Sequence, residues 1–323
     1  MKITNNHNVS LPLAVWLMHD EYDYVNEKKY ISATTLLKPL KHIVMAHRVD
    51  KSKLSMDIMD LVATSMGSGL HGSIEKAWYE GHQQALTKLG YPKKVVESVV
   101  INPTEADFAK NPDIIPVYIE QRATKKIGGW TIGGKFDIVT EGLLQDVKST
   151  STYTWTNGGR DDEHQMQGSI YRWLHDTKIT EDIIRINYIF TDWQKALAKP
   201  ESNYPQHRVM HKDIPLLSYK ATEEWIKRKL ELIDRYWDAP ESEIPECTDE
   251  ELWKTDPVYK YFSDVEKAKE PGARSTKNFT DLIDARTFMA SKGKGTIVVV
   301  PGEVKRCNYC PVATICKQRE RYI

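Results

Sequence analysis

The sequence predicts an α/β fold in which a mixed β-sheet is flanked by helices. Runs rich in Ile, Val, Phe and Leu flank the turn residues 140–142, which indicates a β-hairpin over residues 127–150. Other strand-like runs and runs of helical periodicity alternate along the chain. The predicted strands are 115–123, 183–190 and 207–214, and the predicted helices are 56–89, 161–175 and 222–237.

The elements before the hairpin follow from prolines and from apolar spacing. A proline near the start of the apolar run 11–24 predicts a short helix, and Pro39 divides the helix-compatible segment 31–48. A short strand is predicted within 95–101. The helix over 56–89 carries an apolar stripe at near-helical spacing, formed by Ile58, Val62, Met66, Leu70 and Ile74.

The periodic pattern ends near residue 240. Pro240, Pro245 and several acids interrupt it, and the remainder is short on periodic apolar residues. We therefore predict a core domain over residues 1–240 and a small, wrapping, cysteine-bearing extension over residues 241–323.

The hairpin brings two acids and a lysine together. With a two-residue turn at 141–142, Asp137 lies opposite Asp146, and the side-chain period of two puts Lys148 on the face of Asp146. Two close carboxylates suit a hard divalent cation such as Mg²⁺, and a lysine beside it can orient a water for attack on phosphorus. The pattern thus favours phosphodiester hydrolysis, with solvated surface charges as the structural alternative.

The segments G-G-K-F-D-I-V and Q-D-V-K-S-T around these residues resemble the core of the PD-(D/E)xK nuclease superfamily. The resemblance is to its RecB-like branch, which includes AddB-type nucleases, CRISPR-adaptation nucleases and phage exonucleases. It implies a restriction-endonuclease-like core that cleaves DNA with Mg²⁺ or Mn²⁺. It also implies that Asp137, Asp146 and Lys148 are catalytic and that the two acids bind the metal.

Two predicted helices carry further matches to this branch. G-S-G-L-H-G-S-I-E resembles the helix whose histidine binds the metal, which implies that His71 is a ligand, and Glu75 on the same face is a candidate auxiliary ligand. The alternative is a partly buried histidine that is hydrogen-bonded to a neighbour. Gln167 and Tyr171 match the Q-x-x-x-Y helix, whose amide and phenol position the scissile strand.

Three other residues are candidates with equal structural alternatives. Glu120 is a candidate auxiliary ligand or outer-shell acid, or an exposed strand residue. Tyr153 and Trp155, in a polar loop after the hairpin, are candidates for stacking on unpaired bases or for core packing.

The carboxy-terminal cysteines Cys307, Cys310 and Cys316 form a C-x₂-C-x₅-C triad. The triad resembles the cysteines of iron–sulfur RecB-like nucleases, whose first cysteine lies in a segment where this chain has 38–40, Lys-Pro-Leu. Cys247 is the remaining thiol, so we expect it to complete a Cys₄ site for a 4Fe–4S cluster, with Zn²⁺ as the alternative. Flanking basic residues at 305, 306, 317 and 319 are expected to lower the thiol pKa values.

The charge balance and the apolar runs of the sequence limit which partners the protein can bind. Lys plus Arg equals Asp plus Glu at 45 each in 323 residues, so DNA contact must come from a local cleft. No apolar run of about 18 residues exists, which predicts a cytoplasmic protein without membrane association, in a bacterial or phage-infected cell.

The sequence therefore predicts a metal-dependent deoxyribonuclease, in particular an exonuclease that acts in recombination, repair or replication. Such an enzyme is compatible with a phage origin of the gene. Its expected partners are DNA and a recombination or replication protein such as an annealing protein or a helicase. The alternative is a non-catalytic nucleic-acid-binding scaffold with a structural iron–sulfur or zinc module.

Overall fold

The computed structural model describes residues 1–20, 23–200 and 202–322. The strands, in chain order, are β1 (Lys2–Thr4), β2 (Tyr30–Ser32), β3 (Ser55–Asp57), β4 (Val99–Ile101), β5 (Ile115–Ile127), β6 (Trp130–Thr140), β7 (Leu143–Thr150), β8 (Ile183–Phe190), β9 (Val209–Pro215), β10 (Val258–Phe262), β11 (Lys277–Phe279) and β12 (Thr296–Val300). The α-helices are α1 (Leu11–Met18), α2 (Ala33–Leu36), α3 (Leu40–Ala46), α4 (Val62–Lys88), α5 (Lys93–Ser98), α6 (Glu105–Lys110), α7 (Thr152–Thr156), α8 (Asp161–Leu174), α9 (Tyr219–Tyr236), α10 (Leu282–Lys292) and α11 (Lys317–Glu320).

The chain divides into two units. Unit 1 comprises Met1–Lys38 and Asp50–Leu232, and unit 2 comprises Pro39–Val49 and Ile233–Ile323. This division differs from the predicted boundary at residue 240, because the short segment 39–49 belongs with the carboxy-terminal part. The segment contains α3, four of whose apolar residues are buried.

Unit 1 is built on a seven-stranded mixed sheet. Its strands run in the order β4-β5-β6-β7-β8-β9, and β2 pairs in parallel with the start of β6. The β4–β5 and β7–β8 pairs are parallel, whereas β5–β6, β6–β7 and β8–β9 are antiparallel. The predicted fold class, an α/β protein with a mixed sheet flanked by helices, is confirmed.

The β6–β7 hairpin has the predicted two-residue turn. Thr140 pairs with Leu143, and both turn residues, Glu141 and Gly142, have positive φ angles of 51° and 79°. Such a turn matches the natural twist of two antiparallel strands, which is why a glycine suits its second position. The turn fixes which residues of the two strands face each other.

Helix α8 packs on this sheet through close approaches that require glycine. A Cβ on Gly134 of β6 would lie 2.7 Å from a methyl carbon of Leu174 and 2.9 Å from the ring of Tyr171. The second glycine of G-G-K-F-D therefore lets the helix that carries Tyr171 approach β6. The inner side of α8 also buries Ile170 and Trp173.

Unit 2 has a core that the sequence analysis missed. A three-stranded antiparallel sheet, in the order β11-β10-β12, packs against α10, and Tyr261, Phe262 and Ala285 are buried. Tyr261 contacts Phe288 edge to ring with centroids 5.2 Å apart. The region predicted as a wrapping extension short on core therefore contains a small sheet-and-helix core. Strands of three to five residues are too short to give a clear period.

Three other predictions need correction. The helix predicted from residue 56 begins at Val62, since β3 and a 3₁₀ turn precede it. Helix α5 occupies much of the strand predicted within 95–101, and α7 forms within the predicted polar loop, where Asp192 accepts from the backbone N–H of Thr152 at 2.7 Å. The helix predicted over 11–24 ends at Met18, and residues 21–22 lie outside the described part of the chain.

Helix α4 also differs in burial from the expectation of an apolar core stripe. None of its described side chains is fully buried, and Met66 is 51% exposed. None of the helices in the described residues combines the length and apolarity that crossing a membrane requires.

Candidate active site

Three acids lie in one row across three adjacent strands of unit 1. The β5–β6 register places Glu120 opposite Asp137, and continuing the β6–β7 register places Asp137 opposite Asp146. Directly opposed residues point to the same face of a sheet. The row thus gathers three carboxylates on one face, which is the arrangement that the hairpin spacing predicted for two of them.

Glu120 occupies a strained position in this row. Its φ angle is 51°, a left-handed conformation that is uncommon for a residue other than glycine, and the ladder of β5 and β6 is interrupted at this pair. Its carboxylate forms an ion pair with Lys135 of β6. Strain of this kind is often stored at functional sites, so the structure places Glu120 with the candidate ligands and not on an exposed strand surface.

His71 reaches from α4 to both strands of the hairpin. Its Nε2 lies 2.9 Å from the carbonyl oxygen of Val147, and its Nδ1 lies 3.2 Å from Oδ2 of Asp137. Because a carbonyl can only accept, Nε2 carries a proton, and neutral His71 then presents a lone pair from Nδ1 to the carboxylate. Two acceptors at this distance need a proton or a cation between them.

The carboxyl group of Asp137 is electrostatically unfavourable as an anion. Burial, and next the charge of Asp146, raise its pKa to about 6, although His71, Lys148 and a hydrogen bond from the backbone N–H of Val147 act in the opposite direction. A carboxylate whose charged form is disfavoured by its surroundings gains most from a neighbouring cation.

Asp146 is almost entirely buried and is paired with Lys148. The side chain of Asp146 is 4% exposed, and the Nζ of Lys148 donates to Oδ1 at 2.9 Å. Oδ2 lies 2.7 Å from the same nitrogen but outside hydrogen-bond geometry, and among the described residues it has no hydrogen-bond partner. Lys148 therefore supplies a positive charge beside this buried carboxylate, whose Oδ2 makes no hydrogen bond among the described residues.

One group of candidate ligands converges tightly. The ligand atoms of His71, Glu120 and Asp137 all lie within 4.8 Å of one another, and in the described residues this is the only such group of three or more His, Cys, Asp or Glu side chains. Asp146 and Glu75 lie outside it. Asp146 is next to the group by register and by its electrostatic effect on Asp137. Within the described part of the chain, Glu75 is not among the converging ligand atoms.

Gln167 and Tyr171 interact with each other along α8. The Nε2 of Gln167 donates to the phenol oxygen of Tyr171 at 3.2 Å, and Tyr171 is 6% exposed. The phenol is therefore held in the core, and Gln167 is the more accessible of the two.

The aromatic residues after the hairpin separate into two environments. Tyr153 is 66% exposed on α7. Trp155 packs edge-on against Tyr188 and Phe190, with ring centroids 5.8 and 5.9 Å away. Core packing thus accounts for Trp155, and Tyr153 remains available for stacking.

One residue beside the site was not anticipated. His164 of α8 is buried, and its Nδ1 has no hydrogen-bond partner among the described residues. Burial lowers the pKa of His164, although the charge of Asp146 acts in the opposite direction. The charge of Lys148 also affects the pKa of His164. The signal in the sequence was its position three residues before Gln167, which puts both on neighbouring parts of one helical face.

The cysteines lie together in unit 2. Cys247, Cys307, Cys310 and Cys316 line one cavity, and Gln318 holds the backbone of Cys247 by two hydrogen bonds of 2.9 and 2.8 Å. The expectation of lowered thiol pKa values is wrong for two of them. Burial raises the pKa of Cys247 to about 12 and also raises that of Cys307.

No protein-family model and no curated protein sequence matches this chain. The solved structures that are similar to parts of it include two proteins. The protein SSO0001 is 18% identical, with a TM-score of 0.39 over 67% of this chain and 80% of that one. A phage-related exonuclease from Haemophilus somnus 129PT is 15% identical, with a TM-score of 0.31 over 67% of this chain and 96% of that one. Similarity at this level supports no functional conclusion.

Proposed function

We propose that unit 1 is a divalent-metal-dependent deoxyribonuclease that hydrolyses phosphodiester bonds. The observation that carries this proposal is the convergence of His71, Glu120 and Asp137 within 4.8 Å, beside the register-matched Asp146 and its partner Lys148. Neighbouring carboxylates around an imidazole lone pair form a donor set for Mg²⁺ or Mn²⁺.

The residues fit such an ion in two respects. The contact between Nδ1 of His71 and Oδ2 of Asp137 lacks a bridging positive charge when the imidazole is neutral, and the pKa of Asp137 is raised. The buried Oδ2 of Asp146, 2.7 Å from Nζ of Lys148, makes no hydrogen bond among the described residues. His71, Asp137 and Asp146 would hold the ion. The carboxylate of Glu120 would be an auxiliary ligand if its ion pair with Lys135 opened. A bound divalent cation would neutralise these acids and the charge that develops on the phosphate.

The other side chains have separate roles in this proposal. Lys148, anchored at 2.9 Å by Asp146, holds the attacking water on the face that carries the acids. Gln167 positions the substrate strand, with its amide oriented by Tyr171, and exposed Tyr153 stacks on an unpaired base.

The more specific proposal, an exonuclease with particular partners, is supported by the motif resemblance. Helix His71, the acids and lysine of the hairpin, and the Gln167 helix occur in the order found in RecB-like nucleases. That resemblance supports an exonuclease of recombination, repair or replication, acting with DNA and with a recombination or replication protein such as an annealing protein or a helicase.

The direct experiment incubates purified protein with end-labelled DNA, single- and double-stranded, linear and circular, in Mg²⁺, Mn²⁺ or EDTA. Metal-dependent loss of linear but not circular DNA is expected. Asp146→Asn should not cleave, whereas Asp213→Asn, which alters an exposed acid paired with Arg185, should cleave as the wild type does. Metal-dependent cutting of circles would replace the exonuclease by an endonuclease. Absence of cleavage in every condition would leave the non-catalytic scaffold.

We further propose that the cysteine-lined cavity of unit 2 holds a 4Fe–4S cluster, with zinc as the alternative. Four thiols around one cavity, three of them in C-x₂-C-x₅-C spacing, support a metal centre. The raised pKa values of Cys247 and Cys307 mean that metal binding must displace protons there. Iron, sulfide and zinc analysis of anaerobically purified protein tests this. Absence of all three would reject the centre.

A further inference from the structure

Helix α3 carries a histidine to the cysteine-lined cavity of unit 2. His42 is half-buried and lines this cavity together with the four cysteines. Its Nδ1 lies 3.6 Å from the Sγ of Cys310, which is within hydrogen-bond distance for sulfur. The cysteine pattern of the sequence gave no reason to single out this residue.

The helix is held in place on both sides of His42. The Nζ of the buried Lys41 lies 3.1 Å from Oε1 of Glu241, and the same oxygen accepts from the backbone N–H of Lys317 at 2.8 Å. At the other end, Arg48 donates to the carbonyl oxygen of Trp237 at 2.7 Å. These anchors fix the position of His42, so its approach to Cys310 follows from the packing of unit 2.

The chemistry of a metal-bound cysteine sets the direction of this hydrogen bond. A thiolate that is bound to a metal has no proton and can only accept. His42 must then carry its proton on Nδ1 and donate it toward the sulfur. A donated hydrogen bond draws negative charge away from the sulfur, and it is strongest when the metal centre carries an additional electron.

The spacing of the cysteines indicates which kind of centre His42 faces. Tetrahedral zinc, with Zn–S bonds of roughly 2.3 Å, would bring its sulfur ligands to about 3.8 Å from one another. In the described residues, which include all four cysteines, no three cysteine sulfurs lie within 4.8 Å of one another. Thiolates of an iron–sulfur cluster bind different irons and therefore lie further apart than the ligands of one zinc ion, so the absence of a tight group of three favours the cluster.

We propose that His42 is a redox-tuning residue that donates an Nδ1–H hydrogen bond to the Cys310 thiolate and so stabilises the reduced form of a cluster in unit 2. The inference rests on the proposed metal centre and not on nuclease activity. It assigns a role to the segment 39–49, which lies far from the cysteine triad in sequence but belongs to the same unit.

The test compares three variants with the wild type. His42→Phe removes the donor, and His42→Gln retains a side-chain N–H. His47→Phe is the matched control, because His47 lies on the same segment but stacks on Trp237 with ring centroids 4.3 Å apart. Each protein is purified anaerobically, its iron and sulfide are determined, and its midpoint potential is measured by dye-mediated dithionite titration followed in the visible spectrum.

We expect full iron in all variants. Reduction of His42→Phe should be about tenfold less favourable, which corresponds to a midpoint about 59 mV more negative for a one-electron couple. His42→Gln should recover part of this shift, and His47→Phe should match the wild type.

Three results would overturn the inference, and they point to different causes. Wild-type protein with zinc or no metal would remove the cluster itself. Full iron with an unchanged midpoint in His42→Phe would leave the cluster but reject the tuning. Loss of iron in both His42→Phe and His42→Gln, with full iron retained in His47→Phe, would make His42 a ligand of the centre and not a donor to one.

Discussion

The two candidate metal sites use their donor atoms in opposite ways. In unit 1 the donors are oxygens and one imidazole nitrogen, and three of them crowd within 4.8 Å. In unit 2 the donors are thiols that line a cavity without converging to that degree. The first arrangement suits one small hard ion, and the second suits a larger inorganic group with soft ligands.

The two sites also differ in how they hold their charge before any metal binds. In unit 1 three carboxylates share a face, and Asp137 is disfavoured as an anion. In unit 2 burial keeps Cys247 and Cys307 as neutral thiols. A metal would therefore relieve repulsion in unit 1, whereas in unit 2 it would have to displace protons. Four predictions test this contrast.

The largest expected effect concerns catalysis in unit 1. Asp137→Ala, Asp146→Asn and Lys148→Ala should each lower DNA cleavage by at least about a thousandfold, because they remove a ligand or the group that holds the water. DNA binding should persist, since phosphate contacts elsewhere carry most of the affinity. Gel shifts in Ca²⁺ and cleavage assays in Mg²⁺ measure the two properties. Near wild-type cleavage in any of the three variants would remove that residue from the site.

The second effect concerns the stability of unit 2. Cys307→Ser should lose most bound metal and lower the free energy of unfolding of this unit by several kcal/mol, because metal binding adds directly to folding. Limited proteolysis and metal analysis measure both. Ile283→Ser, at a position 73% exposed on α10, is the control and should alter neither. A Cys307→Ser protein with full metal would show that the triad is not the ligand set.

The third effect is a gain of stability in unit 1. The folded pKa of Asp137 is about 6, above the unfolded value of 3.8, so the folded state binds more protons between these values and loses stability as pH rises through this window. In EDTA at pH 7, Asp137→Asn should therefore be more stable by about 1–3 kcal/mol. Its stability should also change less between pH 4 and pH 6.

Denaturant titrations at several pH values measure this gain. Asp213→Asn is the control, because its hydrogen bond with Arg185 lowers the pKa of Asp213 and its loss should bring no gain. Equal stability of wild type and Asp137→Asn across the range would mean that the acids of unit 1 do not repel each other.

The smallest effect concerns substrate positioning. Gln167→Ala should lower turnover about tenfold, as expected for a side chain that orients the substrate without touching the ion. The Mg²⁺ dependence of cleavage should not change. Tyr171→Phe removes the phenol that accepts from Gln167 but keeps the buried ring, so it should have a weaker effect of the same kind. A shifted Mg²⁺ requirement in Gln167→Ala would instead place its amide at the metal.

The hairpin was predictable because its geometry is local. The turn residues Glu141 and Gly142 and the period of two in each strand fix the register of Asp137 and Asp146 without knowledge of distant residues. The position of Glu120 relative to the hairpin depends instead on the β5–β6 register. The sequence could only suggest that it points to the acidic face.

The features that were missed depend on contacts between distant parts of the chain. His42 contacts Cys310, which is 268 residues further along the chain, and the periodicity of a sequence carries no information about such a distant contact. His164 is placed by the packing of α8 on the sheet. In unit 2, strands of three to five residues and a weakly amphipathic α10 left no pattern that is long enough to detect.

The row of acids has a consequence for how unit 1 folds. A slip of one residue in β7 would turn Asp146 to the opposite face and relieve the repulsion with Asp137, so the native register is electrostatically the poorer choice in the absence of metal. Leu144 lies two residues before Asp146 and therefore on the same face of β7, so the same slip would also turn Leu144, which is fully buried and pairs with Val139, to the opposite face. Burial of Leu144 therefore selects the strand alignment that the acids, further along the same face, oppose. A divalent cation present during synthesis would remove this conflict and favour the correct pairing from the start.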